Sequence, residues 1–425
     1  MLDMSTVPSL EEACAQAVAA VDGDRVIDLV RGALRIPSLS GHEHDVAAYF
    51  VARMADLDID SELQAVPHDP LMPGPSVNAL GRLAGSGGGT SLLFNGHTDH
   101  NPVSDGWTKD PFGAEIEDGY LYGFVHMKAA DACYIAALDA VKRAGIPLRG
   151  DVGIALVCGE LRGGTGTKHA LANGLTADYF VLGEPTELEL ATKHTASLVA
   201  DIHVLGRTKH FATQDAAGKR GVNAVEQVAK VIPLLGRSHQ PLPSRADGGW
   251  LDFEPRAGFE GLPQINIGSI QAGISRAFDR TRPALMPDRA ALTVDFRIVP
   301  GMSKQSIEAD LRRLLDGLAE DDPDFAYEIA FHGETFPYPY DSPDDTPVVK
   351  AVERAHETVM GTPPGWSKIL KFAASDASWM ARAGIPGVVY GPTGKYLSRP
   401  DERGRVDDFI AVTKIYASTI VRLCS

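Results

Sequence analysis

The sequence has few cysteines, few aromatic residues and a shortfall of positive charge. Four cysteines among 425 residues (Cys14, Cys133, Cys158 and Cys424) stand far apart, with no C-x-x-C spacing. That argues against a disulfide framework and a cysteine-built zinc site, and it suits a reducing compartment. Lysine and arginine together number 40 against 56 aspartates and glutamates, a net charge of −16. A chain of that sign repels nucleic acid and anionic membrane surfaces, so neither is expected as a partner. No apolar run reaches the roughly 20 residues that span a bilayer. The opening residues, MLDMSTVPSLEEACAQ, are acidic and lack a basic segment followed by an apolar one. Neither a signal peptide nor a membrane span is expected, and a cytoplasmic location is.

What is present is an ordinary globular composition, 44% hydrophobic and 23% charged, in a chain long enough for two domains. Apolar runs at 92–94, 152–158 and 179–182 read as buried strands. Residues 9–34, with Ser9 as cap, and 126–144 have helical spacing. This alternation predicts an α/β domain with a mostly parallel central sheet. From residue 193 the order becomes strand 198–205, helix 221–235, strands 265–270 and 292–299, helix 303–318 and strand 325–331. That is a split βαβ (ferredoxin-like) α+β unit of about 140 residues, inserted into the first domain. The first domain resumes at 347–359 and 384–390. The expected division is 1–192 with 334–425, and 193–333.

The chemistry is concentrated in residues 95–133, NGHTDHNPVSDGWTKDPFGAEIEDGYLYGFVHMKAADAC. A strand ending at Phe94 breaks at Gly96 and presents His97, Asp99 and His100. His97 and Asp99 share a face of extended chain. An imidazole ligates first-row metals, and a carboxylate two residues on can fix its tautomer. The run GHTDHNPV, then WTKDPF, DGYLYG and HMK, resembles the aminoacylase, carboxypeptidase and succinyl-diaminopimelate desuccinylase family of metallohydrolases. That family reads G-H-x-D-x-V-P, W-x-x-D-P-F and D-G-x-L-Y-G-R-G-x-x-D-M-K, and the likeness recurs in order along nearly the whole chain.

The resemblance implies a metal-binding catalytic domain interrupted by a lid domain. It also implies a small-molecule substrate and a homodimer through the lid, or a higher homo-oligomer. Family members hold two metal ions that share a bridging Asp. On this chain His97 matches the first ligand, Asp99 its orienter, and Glu184 in Leu182-Gly183-Glu184-Pro185-Thr186 the carboxylate ligand. Glu160 matches the general base. His210 matches the lid histidine that steadies oxyanion charge in a partner's site. Asp376 lies in a further matching segment. Arg276, Arg280, Arg282 and Arg289 lie where the family contacts substrate carboxylates, although surface solvation is the commoner role for such arginines.

Three positions depart. His126 stands for the bridging Asp, Leu161 for the second Glu of the E-E-x-G motif, and Ser398 for the C-terminal His ligand. A neutral imidazole nitrogen has one lone pair and holds one metal, where a carboxylate can bridge two. The expectation is therefore one divalent transition metal per chain (Mn, Co, Zn or Fe), held by His97, His126 and Glu184, with Asp131 competing for the third place.

The implied activity is hydrolysis of a C–N bond, with Glu160 moving the proton of the attacking water to the leaving amine. Losing one metal removes a Lewis acid that would steady a tetrahedral oxyanion. A nitroarene stores the incoming charge in its own nitro group. These departures resemble the branch of the family that hydrolyses 5-nitroanthranilate to 5-nitrosalicylate and ammonia, which is the leading expectation. The alternatives are an amide or peptide hydrolase of deacylase or carboxypeptidase type, and a non-catalytic binding relative.

Overall fold

The computed structural model describes residues 8–67, 74, 76–213, 218, 220–280, 282–333 and 335–425. Residues 1–7 of the segment read for a leader, and residue 334, where the first domain was expected to resume, lie outside them. The chain divides into two compact units. Met1–Thr192, Asp341–Leu370 and Ser375–Ser425 form the first, and Lys193–Tyr340 with Lys371–Ala374 the second.

The first unit opens with α1 (Leu10–Ala19) and α2 (Gly23–Leu34), where the sequence reads one helical stretch. Ser9 caps α1 in a reciprocal box with Glu12. The break comes from a second cap: the Asp22 side chain accepts the N–H groups of Asp24 and Arg25 and starts a new helix. Next come α3 (His44–Ala55), β1 (Asp60–Val66), β2 (Ser76–Leu83) and β3 (Leu92–His97). They are followed by α4 (Lys128–Arg143), β4 (Val152–Val157), α5 (Thr165–Ala172) and β5 (Tyr179–Leu182). The second unit contributes β6 (Ala196–Leu205), α6 (Ala224–Leu235), β7 (Gln264–Gly273), β8 (Arg289–Ile298), α7 (Lys304–Asp321) and β9 (Ala326–Phe331). The chain returns to the first unit with α8 (Pro347–Met360), α9 (Ala377–Arg382), β10 (Gly387–Val389) and α10 (Val406–Cys424).

The first unit's sheet runs β1-β2-β4-β3-β5-β10. Its four strands β4, β3, β5 and β10 are parallel, and β2 is antiparallel to both of its neighbours. All six residues of β3 are buried, as a strand covered on both faces requires. Leu92, Leu93 and Phe94 each contribute about 1.5–3 kcal/mol through that burial. Helix α4 lies deep because its sequence, KAADACYIAALDAVKR, is rich in small residues, six of its sixteen being alanine, and all but its last two residues are buried. Tyr134 of α4 stacks on Phe94 of β3 at 4.7 Å, and its hydroxyl donates to the Asn95 carbonyl at 2.9 Å. This packing fixes the end of β3 against the start of α4.

The second unit is a β-α-β-β-α-β layer in which β7-β8-β6-β9 form an antiparallel sheet. Ala200, Ile202 and Val204 of β6 alternate into its core with Leu292, Val294 and Phe296 of β8. Among the described residues, no helix is long and apolar enough to cross a membrane.

Candidate metal centre and its carboxylates

Open parallel sheets place functional side chains beyond the carboxyl ends of their strands. His97 is the last residue of β3, Glu160 follows the end of β4, and Glu184 follows the end of β5. The strand does not break at Gly96 but runs through it to His97, and the glycine instead lets α4 pack close: a Cβ at that position would run into the Asp131 carboxylate.

Three side chains converge. Nε2 of His97 and Nε2 of His126 stand 3.2 Å apart, and Nε2 of His126 is 2.6 Å from Oε2 of Glu184. Nε2 of His97 is 3.9 Å from Oε1 of Glu184. One ligand atom from each residue falls within a 4.8 Å span, and among the described residues no other group of three His, Cys, Asp or Glu does so. Two imidazole nitrogens facing each other beside a carboxylate can share a proton or hold a metal ion between them. Burial opposes charge on His97, yet Asp99, Glu160 and Glu184 outweigh it and push its proton affinity well above the ordinary histidine range. The same field and the same donor set suit a divalent first-row metal.

Asp131 falls outside this group. It occupies the first turn of α4, fully buried, and neither oxygen has a hydrogen-bond partner. Burial pushes its proton affinity well up. Helical spacing brings it to the centre's rim, against Gly96, not to the two facing nitrogens. Leu161 contributes only its backbone N–H, to Asp99, at 3.2 Å. The Ser398 hydroxyl, exposed, accepts from the Asn101 side-chain amide at 2.8 Å.

Asp99 ties the centre together. Its Oδ1 accepts the Glu160 backbone N–H at 3.0 Å, and its Oδ2 accepts from the Ser40 hydroxyl at 2.7 Å. Nδ1 of His97 lies 3.0 Å from the Asp99 carbonyl and 3.4 Å from its Oδ1, so the main chain shares the orienting role expected of the carboxylate alone. With Nδ1 protonated, Nε2 presents its lone pair to the centre. Burial would raise the Asp99 carboxyl, but the bonds from His97, Ser40 and Glu160 hold it below its usual range.

Glu160 opens a short 3-10 turn, Glu160–Arg162, immediately after Gly159, whose φ of +63° provides the sharp exit from β4. The side chain is buried, and that burial pushes its proton affinity well up; Glu184, Asp376 and Asp99 reinforce the shift and His97 opposes it. Asp376, at the start of α9, is pushed up to about 7, chiefly by burial. A carboxylate with raised proton affinity beside a metal centre is a candidate proton acceptor.

Sequence reasoning missed Glu43. Its Oε1 accepts the N–H groups of Gly41 at 2.9 Å and Gly159 at 3.2 Å, bracing the turn that carries Glu160. The surrounding GHEHD reads as a solvated helix start, and nothing local signals the burial. In the second unit, the His210 ring stacks on Phe211 at 5.4 Å, with its backbone bridged to Leu285. Arg289 pairs with Glu328 at 3.4 Å, whereas Arg276, Arg280 and Arg282 are exposed.

Comparison with known proteins places this geometry in a family. The model of peptidase family M20/M25/M40 matches residues 93–422. The N-formyl-4-amino-5-aminomethyl-2-methylpyrimidine deformylase of Bacillus subtilis is 26% identical over 375 residues, covering 82% of this chain and 83% of that one. The succinyl-diaminopimelate desuccinylase of Rhodospirillum rubrum is 29% identical over 356 residues, covering 79% and 83%. Among solved structures, aminopeptidase PepT of Bacillus cereus matches 95% of this chain and 99% of its own, with a TM-score of 0.74 at 18% identity, a likeness of fold.

Proposed function

This chain belongs to peptidase family M20/M25/M40 and is a metal-dependent hydrolase of C–N bonds, and we propose that it cleaves the amide of a small N-acyl compound at a one-metal centre. The observation that carries this reading is the convergence of His97, His126 and Glu184 beside the buried Glu160. When bound, the metal supplies Lewis acidity, lowering the pKa of water and polarising the scissile bond. Glu160 accepts the proton of the attacking water and returns it to the departing nitrogen. Asp99 fixes the His97 tautomer through Nδ1 and the Glu160 backbone through its N–H, so ligand and base keep one mutual geometry. The acyl amide is favoured because the curated relatives are named as a deformylase and a desuccinylase.

A second reading rests on one specific feature. Leu161 and Ser398 stand where the family pattern has the ligands of a second metal, so a substrate that carries its own electron sink would need that metal less. Hydrolytic deamination of 5-nitroanthranilate meets this condition. Water adds at the amine-bearing carbon, negative charge passes into the para nitro group, and the C–N bond breaks to give 5-nitrosalicylate and ammonia.

The remaining assignments belong to the same proposal: His210 steadies oxyanion charge, the protein assembles as a homodimer through the second unit or as a higher homo-oligomer, and it works in the cytoplasm. The last is supported by four cysteines that are all free and buried.

The test is a product assay on protein stripped and reloaded with Mn, Co, Zn or Fe. N-formyl, N-acetyl and N-succinyl amines are supplied in parallel with 5-nitroanthranilate. Release of the acid and free amine supports the first reading, and release of ammonia from the nitroarene supports the second. No turnover of any of them with any of the four metals would overturn both.

A further inference from the structure

Glu402 is buried, 1% exposed, and its two carboxylate oxygens join its own loop to a segment far away in the chain. Oε1 accepts the backbone N–H of His126 at 2.9 Å, and Oε2 accepts that of Ser398 at 2.8 Å. The Glu402 carbonyl accepts the Gly123 N–H at 2.9 Å, so both ends of the Gly123–His126 segment hang on one residue.

The loop that carries Glu402 is strained and held from outside. It is closed by paired backbone bonds between Lys395 and Arg403, at 2.8 and 3.1 Å. Within it Tyr396, Ser398 and Asp401 adopt φ of +58°, +58° and +59°, a left-handed conformation costly for residues with a Cβ. The Asp401 carboxylate accepts both the N–H and the hydroxyl of Thr108, each at 2.8 Å. The Arg403 guanidinium lies 5.3, 5.2 and 4.7 Å from the ring centres of Tyr120, Tyr122 and Tyr396. Cation–π contacts of this kind gain strength when desolvated. A loop strained internally and clamped at its edges delivers one fixed carboxylate to the His126 backbone.

We propose that Glu402 is a positioning residue for the metal centre, aiming Nε2 of His126 by holding its backbone N–H through the 395–403 loop. This rests on the reading of His126 as a metal ligand. His126 begins no helix and ends no strand, since α4 starts at Lys128. The flanking carbonyls of Val125 and Met127 accept the N–H groups of Ala129 and Asp131 in α4, and the Glu402 bond adds the hold on the His126 N–H itself. Ligand geometry must hold to about 0.5 Å for tight coordination.

The experiment is Co(II) titration of the apo full chain, wild type against Glu402→Gln, by calorimetry and by the visible Co(II) spectrum. An amide in that place has one acceptor oxygen for two N–H donors, so one of the two bonds fails. The expected result is Co(II) binding weakened 10- to 100-fold, the range for groups that orient a ligand, with an altered spectrum. Unchanged affinity and spectrum, with only a lower melting temperature, would overturn the proposal and leave Glu402 a structural residue. If Glu402→Gln does not fold, Glu402→Asp, shorter by one methylene, is read in the same way. His126→Ala separates the two claims. If it binds Co(II) like wild type, the ligand reading itself fails. If it loses Co(II) while Glu402→Gln keeps it, the positioning role alone fails.

Discussion

The Asp99 carboxylate accepts the backbone N–H of Glu160 at 3.0 Å, so the residue that orients His97 also anchors the candidate base. Ligand and base are thereby coupled through one fully buried group. Asp99→Asn replaces an acceptor oxygen with an N–H₂ facing donors from Glu160, Leu161 or Ser40. Leaving a buried donor unpaired costs about 1–3 kcal/mol. Chemical denaturation of the apo protein is expected to show a loss of that size, and metal titration a 10- to 100-fold weaker affinity.

Glu160→Gln separates chemistry from binding. The side chain keeps its shape but can no longer take a proton, so kcat is expected to fall by about 10²–10⁴-fold. Affinity for the metal should stay within about threefold, because Glu160 is not among the converging ligand atoms. Steady-state kinetics and metal titration on the same preparation check both halves.

Acid sensitivity follows from His100. Its Nε2 accepts the Ser38 N–H at 2.9 Å and its Nδ1 donates to the Asn101 carbonyl at 2.7 Å, which fixes a neutral ring. Burial, then the nearby Lys128, pushes it from 6.5 down to about 4. The folded chain thus binds fewer protons there than the unfolded chain between pH 6.5 and 4. Stability from this group is complete above pH 6.5 and lost as pH falls to 4, about 3 kcal/mol in all. Glu43 works the other way: burial and then Asp99 raise it to about 7, so its contribution declines as pH rises from 4.5 to 7. Comparing wild type with His100→Gln over pH 4–7 isolates the first effect, with the wild type expected to lose more stability on acidification.

The sheet was legible where a strand is buried on both faces, because LLF at 92–94 and YFVL at 179–182 are apolar runs too short for a helix. The polar edge strand β1, DSELQAV, carries no such signal and gains its place by pairing with β2 and by a Ser61 hydroxyl bond to the Val51 carbonyl of α3. Helix α10 went unread although its buried face is as apolar as that of α4. At the centre, His97, His126 and Glu184 could be picked out because each stands in a local motif. Asp131 could not be ranked, since helical spacing gives its height along α4 and not the side of Gly96 on which it packs. Glu43 and Glu402 act through hydrogen bonds to backbone 116 and 276 residues away, and no local pattern encodes those distances.

Restoring the three departed positions should rebuild what the family pattern has. The triple variant His126→Asp, Leu161→Glu, Ser398→His supplies a bridging carboxylate and two ligands for a second ion. It is expected to bind about one metal more per chain than the wild type, as counted by atomic emission after dialysis, since a carboxylate can bridge where an imidazole cannot.

The central claim is that one metal is held by His97, His126 and Glu184. Metal content per wild-type chain, measured after stripping and reloading with Mn, Co or Zn, tests it most directly. One equivalent, lost in His97→Ala and in His126→Ala, is the predicted result. Two equivalents in the wild type would contradict it.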